Sequence, residues 1–128
     1  MDYSVPEELK YTKDHEWTKL DSQVATIGIT DFAQSSLGDI VFVELPEVGA
    51  TVAKGEAFGV VESIKSVSDL YAPLSGEVVE ANSELEGQPD LLNDSPYQNW
   101  LIKVKLTKND EVNELLPSSE YQKLQVEQ

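Results

Sequence analysis

Short runs of alternating apolar and polar residues, separated by turn residues, recur through most of the chain. Such runs are typical of half-buried strands, because successive side chains of a strand point to opposite faces. We predict strands at 10–12, 16–20, 23–29, 38–45, 51–52, 58–64, 67–72, 77–81 and 100–106. So many short strands with turn signals between them predict a mainly β fold, a sandwich or barrel hybrid.

Helix signals are fewer, and most lie towards the C-terminus. Thr30 is a predicted N-cap for a short helix over 31–36, which Gly38 ends. Further short helices are predicted at 83–86, 89–92, 109–116 and from 118 or 119 to about 126. With 128 residues the chain is long enough for one domain with a real core. We divide that single domain, 1–128, into a loose N-terminal arm at 1–9, a β core at 10–106 and C-terminal helices at 107–128.

The strand predicted at 38–45 has apolar residues on both faces. Ile40 and Phe42 point one way, and Val41 and Val43 point the other way. A strand of this kind is usually buried between two layers. We therefore expect both faces of this strand to be covered.

The segment 58–72 predicts a β-hairpin around which the chain is organised, with Lys65-Ser66 at its tip. A two-residue loop there pairs Ile64 with Val67 and Glu62 with Asp69. Two-residue hairpin loops favour glycine or asparagine, because they need a positive φ, and Lys-Ser offers neither. We expect a type I turn, with the amine of Lys65 in water.

Lys65 is isolated in charge as well as in position. All nine basic residues are lysines, and Lys65 is the only one between Lys54 and Lys103. A lysine in a turn is most often simply a solvated side chain. Isolation, the tip position and the unfavourable turn residues together make that interpretation less satisfactory here.

Composition excludes several classes of function. The formal net charge of −15 opposes binding to nucleic acid and to anionic lipid surfaces, and there is no arginine to bind phosphate in a bidentate manner. There is no cysteine, so any redox chemistry must come from an attached group. The one histidine, His15, has no nucleophile or glycine-rich motif that would suggest a catalytic site. We expect a non-catalytic protein with no nucleic acid, membrane or metal partner.

The chain resembles the glycine cleavage H-protein family, from about Lys10 to the C-terminal helix. The stretches that carry the resemblance lie on both sides of the hairpin and in its first arm. They are 11–17 (YTKDHEW), 25–31 (ATIGITD) with Ala33 and Gln34, 37–46 (LGDIVFVELP), 54–65 (KGEAFGVVESIK), 68–73 (SDLYAP), 75–80 (SGEVVE) and 100–103 (WLIK).

The resemblance implies a lipoyl-domain-like barrel-sandwich hybrid and a covalent lipoyl group. In the family, the lysine of a Glu-Ser-x-Lys motif carries lipoate. Here that lysine is Lys65, within the motif Glu62, Ser63, Ile64 and Ser66. The implied role is a shuttle that takes an aminomethyl group from the P protein to the T protein and is reoxidised by the L protein. Lipoylating enzymes are further implied partners.

Two alternatives stay open at this stage. The protein could donate its lipoate to other lipoylated enzymes, or it could be an unmodified acidic interaction module of the same fold. We expect a monomer in the cytoplasm, or in the mitochondrial matrix only if a presequence has been removed.

We also expect a dock for the loaded arm, whose amine would be cationic. Asp69 lies four residues past Lys65 on the returning strand, and Glu16 lies in the unusual stretch Asp-His-Glu-Trp. Carboxylates form charge-assisted hydrogen bonds with an ammonium group. Trp17 could add an apolar wall. Both acids could equally be ordinary surface charges, Glu16 above all.

Overall fold

The computed structural model describes residues 4–126, and it is mainly β. Its nine strands are β1 Lys10–Tyr11, β2 Glu16–Asp21, β3 Val24–Ile29, β4 Ile40–Glu44, β5 Thr51–Val52, β6 Ala57–Ser63, β7 Val67–Tyr71, β8 Gly76–Ala81 and β9 Ile102–Leu106. The helices are α1 Asp31–Leu37, α2 Glu84–Gly87, α3 Leu91–Asp94, a 3₁₀ helix Asn109–Glu114 and α4 Ser118–Val126. No helix in this part of the chain is long and apolar enough to cross a membrane.

The strands form two antiparallel sheets of unequal size. The larger sheet has the order β1-β2-β3-β9-β8-β5, and the smaller one has the order β4-β6-β7. The smaller sheet contains the predicted hairpin, formed by β6 and β7. The prediction of a mainly β fold with two sheets and short helices is confirmed.

The main core lies between the two sheets. Ile27 and Ile102 of the larger sheet and Val43 and Val61 of the smaller one are buried in a single cluster. Burying side chains of this size stabilises the fold by roughly 1.5–3 kcal/mol each. The smaller sheet, which contains the hairpin, is therefore fixed to the rest of the domain through its inner face.

A second cluster packs the segment before β2 and helix α4 against the outside of the larger sheet. Tyr11 and Tyr121 stack with their ring centroids 4.7 Å apart, and Trp17 is buried beside them. Leu9 is buried in the same cluster, and Ser4 donates its backbone N–H to Asp31. The expectation of a loose arm is therefore wrong for residues 4–9, whereas residues 1–3 lie outside the described residues.

Strand β4 is covered on one side only, so the prediction of a strand buried on both faces is wrong. Ile40 and Val43 are buried, but Val41 and Phe42 are exposed. The register of β4 against β6 shifts between Ile40 and Phe42. A shift of this kind leaves an extra residue in one strand and turns the side chains that follow it. Simple alternation cannot anticipate such a change of face.

Helix α1 begins and ends as its sequence predicts. The Thr30 hydroxyl accepts a hydrogen bond from the N–H of Ala33 at 3.1 Å. Gly38 ends the helix with a φ of 81°, a conformation that side chains with a Cβ rarely adopt. These two caps place the α1–β4 junction next to the tip of the hairpin.

Candidate functional site

The tip of the hairpin is Ile64-Lys65, one residue earlier than predicted. Glu62 pairs with Val67 and Val60 pairs with Asp69, so the predicted partners are wrong. Ser63 closes the turn by donating its N–H to the Ser66 carbonyl at 2.8 Å. The observed partner of each residue lies two positions from the predicted one. Because side chains alternate with a period of two, each residue still points to the predicted face of the hairpin.

The Ser63 side chain explains how this turn forms without glycine or asparagine. Its hydroxyl oxygen accepts hydrogen bonds from the backbone N–H of Lys65 at 3.2 Å and of Ser66 at 3.1 Å. Serine hydroxyls often replace a backbone acceptor in turns of this kind. Among the described residues only His15 and Ser22 have a positive φ without being glycine, so the tip needs no left-handed residue.

We expect Ser63→Ala to loosen the tip while leaving the fold intact, because two backbone N–H groups lose their acceptor. Net contributions of hydrogen bonds of this type are about 0.5–1.5 kcal/mol each. Amide hydrogen exchange at Lys65 and Ser66 should therefore become several-fold to tenfold faster. Ser63→Thr is the matched control and should restore slow exchange. Equal exchange in Ser63→Ala and in the wild type would contradict this role.

Residues 38–40, which join α1 to β4, support the tip of the hairpin. The Ile64 N–H donates to the Asp39 carbonyl at 3.0 Å. The aliphatic part of Lys65 lies over Gly38, so that a Cβ built on Gly38 would be 3.4 Å from Lys65 Cε. Asn93 of α3 fixes residues 38–40 through two hydrogen bonds. Its side-chain oxygen accepts the Ile40 N–H at 2.9 Å, and its side-chain amide donates to the Gly38 carbonyl at 2.9 Å. Lys65 is exposed on a rigidly supported tip.

A cleft of about 150 Å³ opens beside the hairpin. It lies between the first arm of the hairpin, the returning strand β7, the start of β2 and helix α1. Its lining residues are Asp14, His15, Glu16, Ile29, Phe32, Ala33, Ser36, Leu37, Val61, Ser68, Asp69 and Leu70. The structure thus brings Glu16 and Asp69 together in one cleft.

Glu16 is a buried carboxyl group. One carboxyl oxygen accepts the Tyr71 N–H at 2.9 Å, and the other accepts the Thr12 hydroxyl at 3.2 Å. Burial raises the pKa of Glu16 to about 8, and the nearby charge of Asp14 adds to this effect, while the two hydrogen bonds oppose it. Burial therefore favours the neutral form of Glu16, which is not an ordinary surface charge.

Asp69 is exposed at the same cleft, whereas Trp17 is elsewhere. Trp17 is buried in the aromatic cluster on the other side of β2, and its indole N–H donates to the Pro96 carbonyl at 3.0 Å. Neighbouring residues of a strand point to opposite faces, so Glu16 and Trp17 cannot both face the cleft. The apolar part of the cleft comes instead from Phe32 and Leu37 of α1 and Val61 of β6.

Sequence reasoning missed the positioning of His15 at the cleft. His15 has a φ of 68°, and its Nδ1 lies 2.8 Å from the hydroxyl of Tyr121. The same hydroxyl lies 2.8 Å from Thr30 Oγ1, at the start of α1. Helix α4 therefore fixes two walls of the cleft, across 106 positions of sequence.

Comparison with known proteins identifies the family to which this chain belongs. The family model described as glycine cleavage H-protein matches residues 9–128. The chain belongs to the glycine cleavage H-protein family. It is 55% identical over 121 residues to the glycine cleavage system H protein of Carboxydothermus hydrogenoformans, covering 94% of this chain and 93% of that protein. It is 53% identical over 122 residues to that of Staphylococcus carnosus, covering 94% and 97%.

A solved structure shows the same fold. The crystal structure of a glycine cleavage system H protein from Mycobacterium marinum matches with a TM-score of 0.84 and 45% sequence identity. The match covers 91% of this chain and 95% of that chain. The lipoyl-domain-like hybrid fold is thereby confirmed for this H-protein.

Family membership also shows the function that the resemblance implied. The chain is a lipoyl carrier, not a catalyst, and it shuttles an aminomethyl group between the P, T and L proteins. Its cofactor is lipoate held on a lysine. The residues fit such a group, because an exposed lysine stands on a supported tip beside a cleft with apolar walls and acidic residues.

Proposed function

We propose that Lys65 is the lysine that carries the lipoyl group in this H-protein, and that lipoylating enzymes attach it there. The observation that carries this proposal is the position of Lys65 at the hairpin tip, exposed and held by the Ser63 hydroxyl. Glu62, Ile64 and Ser66 complete the recognition motif. When bound, the lipoyl group supplies the disulfide chemistry that a chain without cysteine lacks.

The test is to map the modification after incubation with lipoate, ATP and a purified lipoate ligase. We expect the lipoyl mass on the peptide that contains Lys65 and on no other lysine peptide. Lys65→Arg keeps the positive charge but cannot form this amide, and it should accept no lipoyl group. Lys13→Arg, at another exposed lysine, is the control and should be modified like the wild type. A lipoyl mass on any other lysine would overturn the assignment.

We further propose that the cleft beside the hairpin docks the loaded arm. Asp69 is on β7, four residues past Lys65 in sequence, or roughly 13 Å at 3.3 Å per residue of extended chain. A lipoyl-lysine spans on the order of 14 Å, from about ten bonds in an extended chain. The two lengths match, so a group on Lys65 can reach the cleft without any movement of the backbone.

Within the cleft, Asp69 and Glu16 have separate tasks. Asp69 is exposed and offers a carboxylate to a cation at the mouth of the cleft. Glu16 is buried deeper, and a cation beside it would favour its ionised form, opposing the effect of burial. Phe32, Leu37 and Val61 exclude water from the apolar part of the arm.

We also propose an oligomeric state and a cellular location for this H-protein, on the basis of its carrier role. A carrier that visits three proteins in turn needs its tip and cleft uncovered, and we expect a monomer. We also expect it in the cytoplasm, because it has to share a compartment with the P, T and L proteins.

A further inference from the structure

A cavity of about 410 Å³ lies at the base of the hairpin, the end away from Lys65. Four loops form its walls: residues 12–14 between β1 and β2, 54–55 before β6, 72–73 after β7, and 114–116 at the end of the 3₁₀ helix. Pockets for small molecules usually occupy about 300–1,000 Å³. The cavity is therefore large enough to hold a small molecule.

Hydrogen bonds between the loops fix the walls of this cavity. The Gly55 N–H donates to the Ala72 carbonyl at 2.8 Å, and this bond closes the base of the hairpin. The Lys54 N–H donates to the Ser75 hydroxyl oxygen at 3.0 Å. Ser75 in turn donates its N–H and its hydroxyl to the carboxylate of Glu111 on the 3₁₀ helix, at 2.6 and 2.9 Å. The cavity is therefore formed before any ligand enters.

Two cations and two anions line the cavity, although the chain as a whole has a net charge of −15. Lys54 Nζ lies 2.7 Å from Glu114 Oε1, so these two charges form an ion pair in the wall. Lys13 and Asp14 of the loop between β1 and β2 are exposed, and neither forms an ion pair with another described residue. Charges of both signs are therefore available to a ligand at one place.

The remaining side chains of the wall are mostly apolar, and they include Ala72, Pro73, Leu115 and Leu116. A ligand with only a carboxylate would be repelled by Glu114 and by the negative field of the whole chain. A ligand with only an ammonium group would find carboxylates over most of the surface, because the chain has 24 acids. A small zwitterion with an apolar side chain matches both the charges and the apolar wall of this cavity.

We propose that this cavity binds an apolar α-amino acid. The carboxylate of the ligand binds Lys13 and Lys54, and its ammonium group binds Asp14 and Glu114. An α-amino acid carries these two groups on a single carbon atom, so both reach wall charges that are only 2.7 Å apart. The side chain of the ligand lies against the apolar part of the wall.

The lipoyl arm is too short to be the occupant. Ala72, in the wall of the cavity, is seven residues past Lys65, or roughly 23 Å at 3.3 Å per residue of extended chain. A lipoyl-lysine spans on the order of 14 Å. Asp14 lines both the cleft and this cavity, so the two are neighbours, but an arm of this length ends in the cleft. The proposal therefore rests neither on the attachment site nor on the dock.

The test titrates isotopically labelled, lipoylated H-protein with L-leucine and follows the backbone amide shifts. We expect saturable shifts in the four loops of the cavity and none at the hairpin tip. Three related compounds each lack one part of the ligand: isocaproate has no ammonium group, isoamylamine has no carboxylate, and glycine has no side chain. Each should bind at least about tenfold more weakly, because charge-assisted hydrogen bonds and apolar burial both contribute to affinity.

A double variant tests the role of the two cations. In Lys13→Gln with Lys54→Gln, the Kd for L-leucine should rise at least about tenfold. The matched control, Lys19→Gln with Lys105→Gln, removes the same charge at exposed lysines outside the cavity. Its Kd should stay within about twofold of the wild type, because distant exposed charges are screened. Amide shifts away from the substituted residues should match the wild type in both variants, which verifies their fold.

Four results would overturn the proposal. The first is the absence of saturable shifts when the wild type is titrated with L-leucine. The second is equal affinity for isocaproate or isoamylamine, which would show that the cavity does not recognise a zwitterion. The third is an unchanged Kd in Lys13→Gln with Lys54→Gln. The fourth is much tighter binding of L-leucine to the apo form than to the lipoylated form, since the arm would then occupy the cavity.

Discussion

Replacing Glu16 with glutamine is expected to make the H-protein more stable than the wild type at high pH, but not at low pH. Burial raises the pKa of Glu16 from 4.5 to about 8 in the folded protein. Between these values the folded state holds a proton that the unfolded state has lost. The free energy of unfolding therefore falls as pH rises from about 4.5 to about 8, by up to ~1.36 kcal/mol per pH unit.

Glutamine has the same shape and no charge. Its carbonyl oxygen can still accept the Tyr71 N–H that Glu16 accepts at 2.9 Å. The advantage of Glu16→Gln should be near zero at pH 4.5 and reach roughly 3–5 kcal/mol above pH 8. The informative quantity is the difference between variant and wild type, because contributions that the two proteins share cancel in it.

Urea denaturation at pH 5, 6, 7, 8 and 9 measures this difference directly. Asp69→Asn is the matched control, because Asp69 is exposed at the same cleft. The Asp69→Asn difference should depend less on pH than the Glu16→Gln difference, because Asp69 is exposed and Glu16 is buried. A Glu16→Gln difference that stays constant from pH 5 to pH 9 would show that Glu16 ionises normally in the fold.

Removing both acids of the cleft is expected to hasten loss of the aminomethyl group from the loaded H-protein. Charge-assisted hydrogen bonds contribute roughly 1.5–3 kcal/mol each, so the double variant Glu16→Gln with Asp69→Asn should lose the group at least about tenfold faster. Lipoylation and reoxidation by the L protein should stay near normal, because neither reaction requires a cation in the cleft.

The effect of the single variant Glu16→Gln should depend on pH. It should grow as pH rises towards 8, where Glu16 ionises. Release of radiolabelled carbon from loaded protein measures the rate. Glu77→Gln, an exposed acid of the larger sheet, is the control and should leave the rate unchanged. Decay of the double variant at the wild-type rate would reject the dock but not the shuttle.

Local patterns were enough to predict most of the fold. The start of α1 at Thr30 and its end at Gly38 depend on residues only a few positions apart, and both were predicted correctly. The strand pattern likewise located the hairpin, although not its tip. These features are predictable because the responsible hydrogen bonds join near neighbours in sequence.

The predictions that were wrong concern features that depend on contacts between residues distant in sequence. The tip lies at Ile64-Lys65 partly because Ile64 bonds to Asp39, on another element. The exposed side of β4 follows from a register shift that Phe42 does not reveal in the sequence.

The candidate site was only partly predictable. The isolation of Lys65 and its motif indicated the attachment point that we propose, and the place of Asp69 beside the hairpin follows from strand geometry. The burial of Glu16 and the absence of Trp17 from the cleft could not be inferred, because they depend on which face of β2 meets the hairpin. His15 was missed for the same reason, since its partner Tyr121 is 106 residues away.

The most direct test of Lys65 as the working lysine is turnover in a reconstituted system. Purified P, T and L proteins with glycine, tetrahydrofolate and NAD⁺ are supplied with lipoylated wild type, Lys13→Arg or Lys65→Arg, and NADH formation is followed. We predict wild-type rates with Lys13→Arg and no rate above the background without H-protein for Lys65→Arg, whose fold is verified by circular dichroism. Glycine-dependent NADH formation with Lys65→Arg would contradict the account.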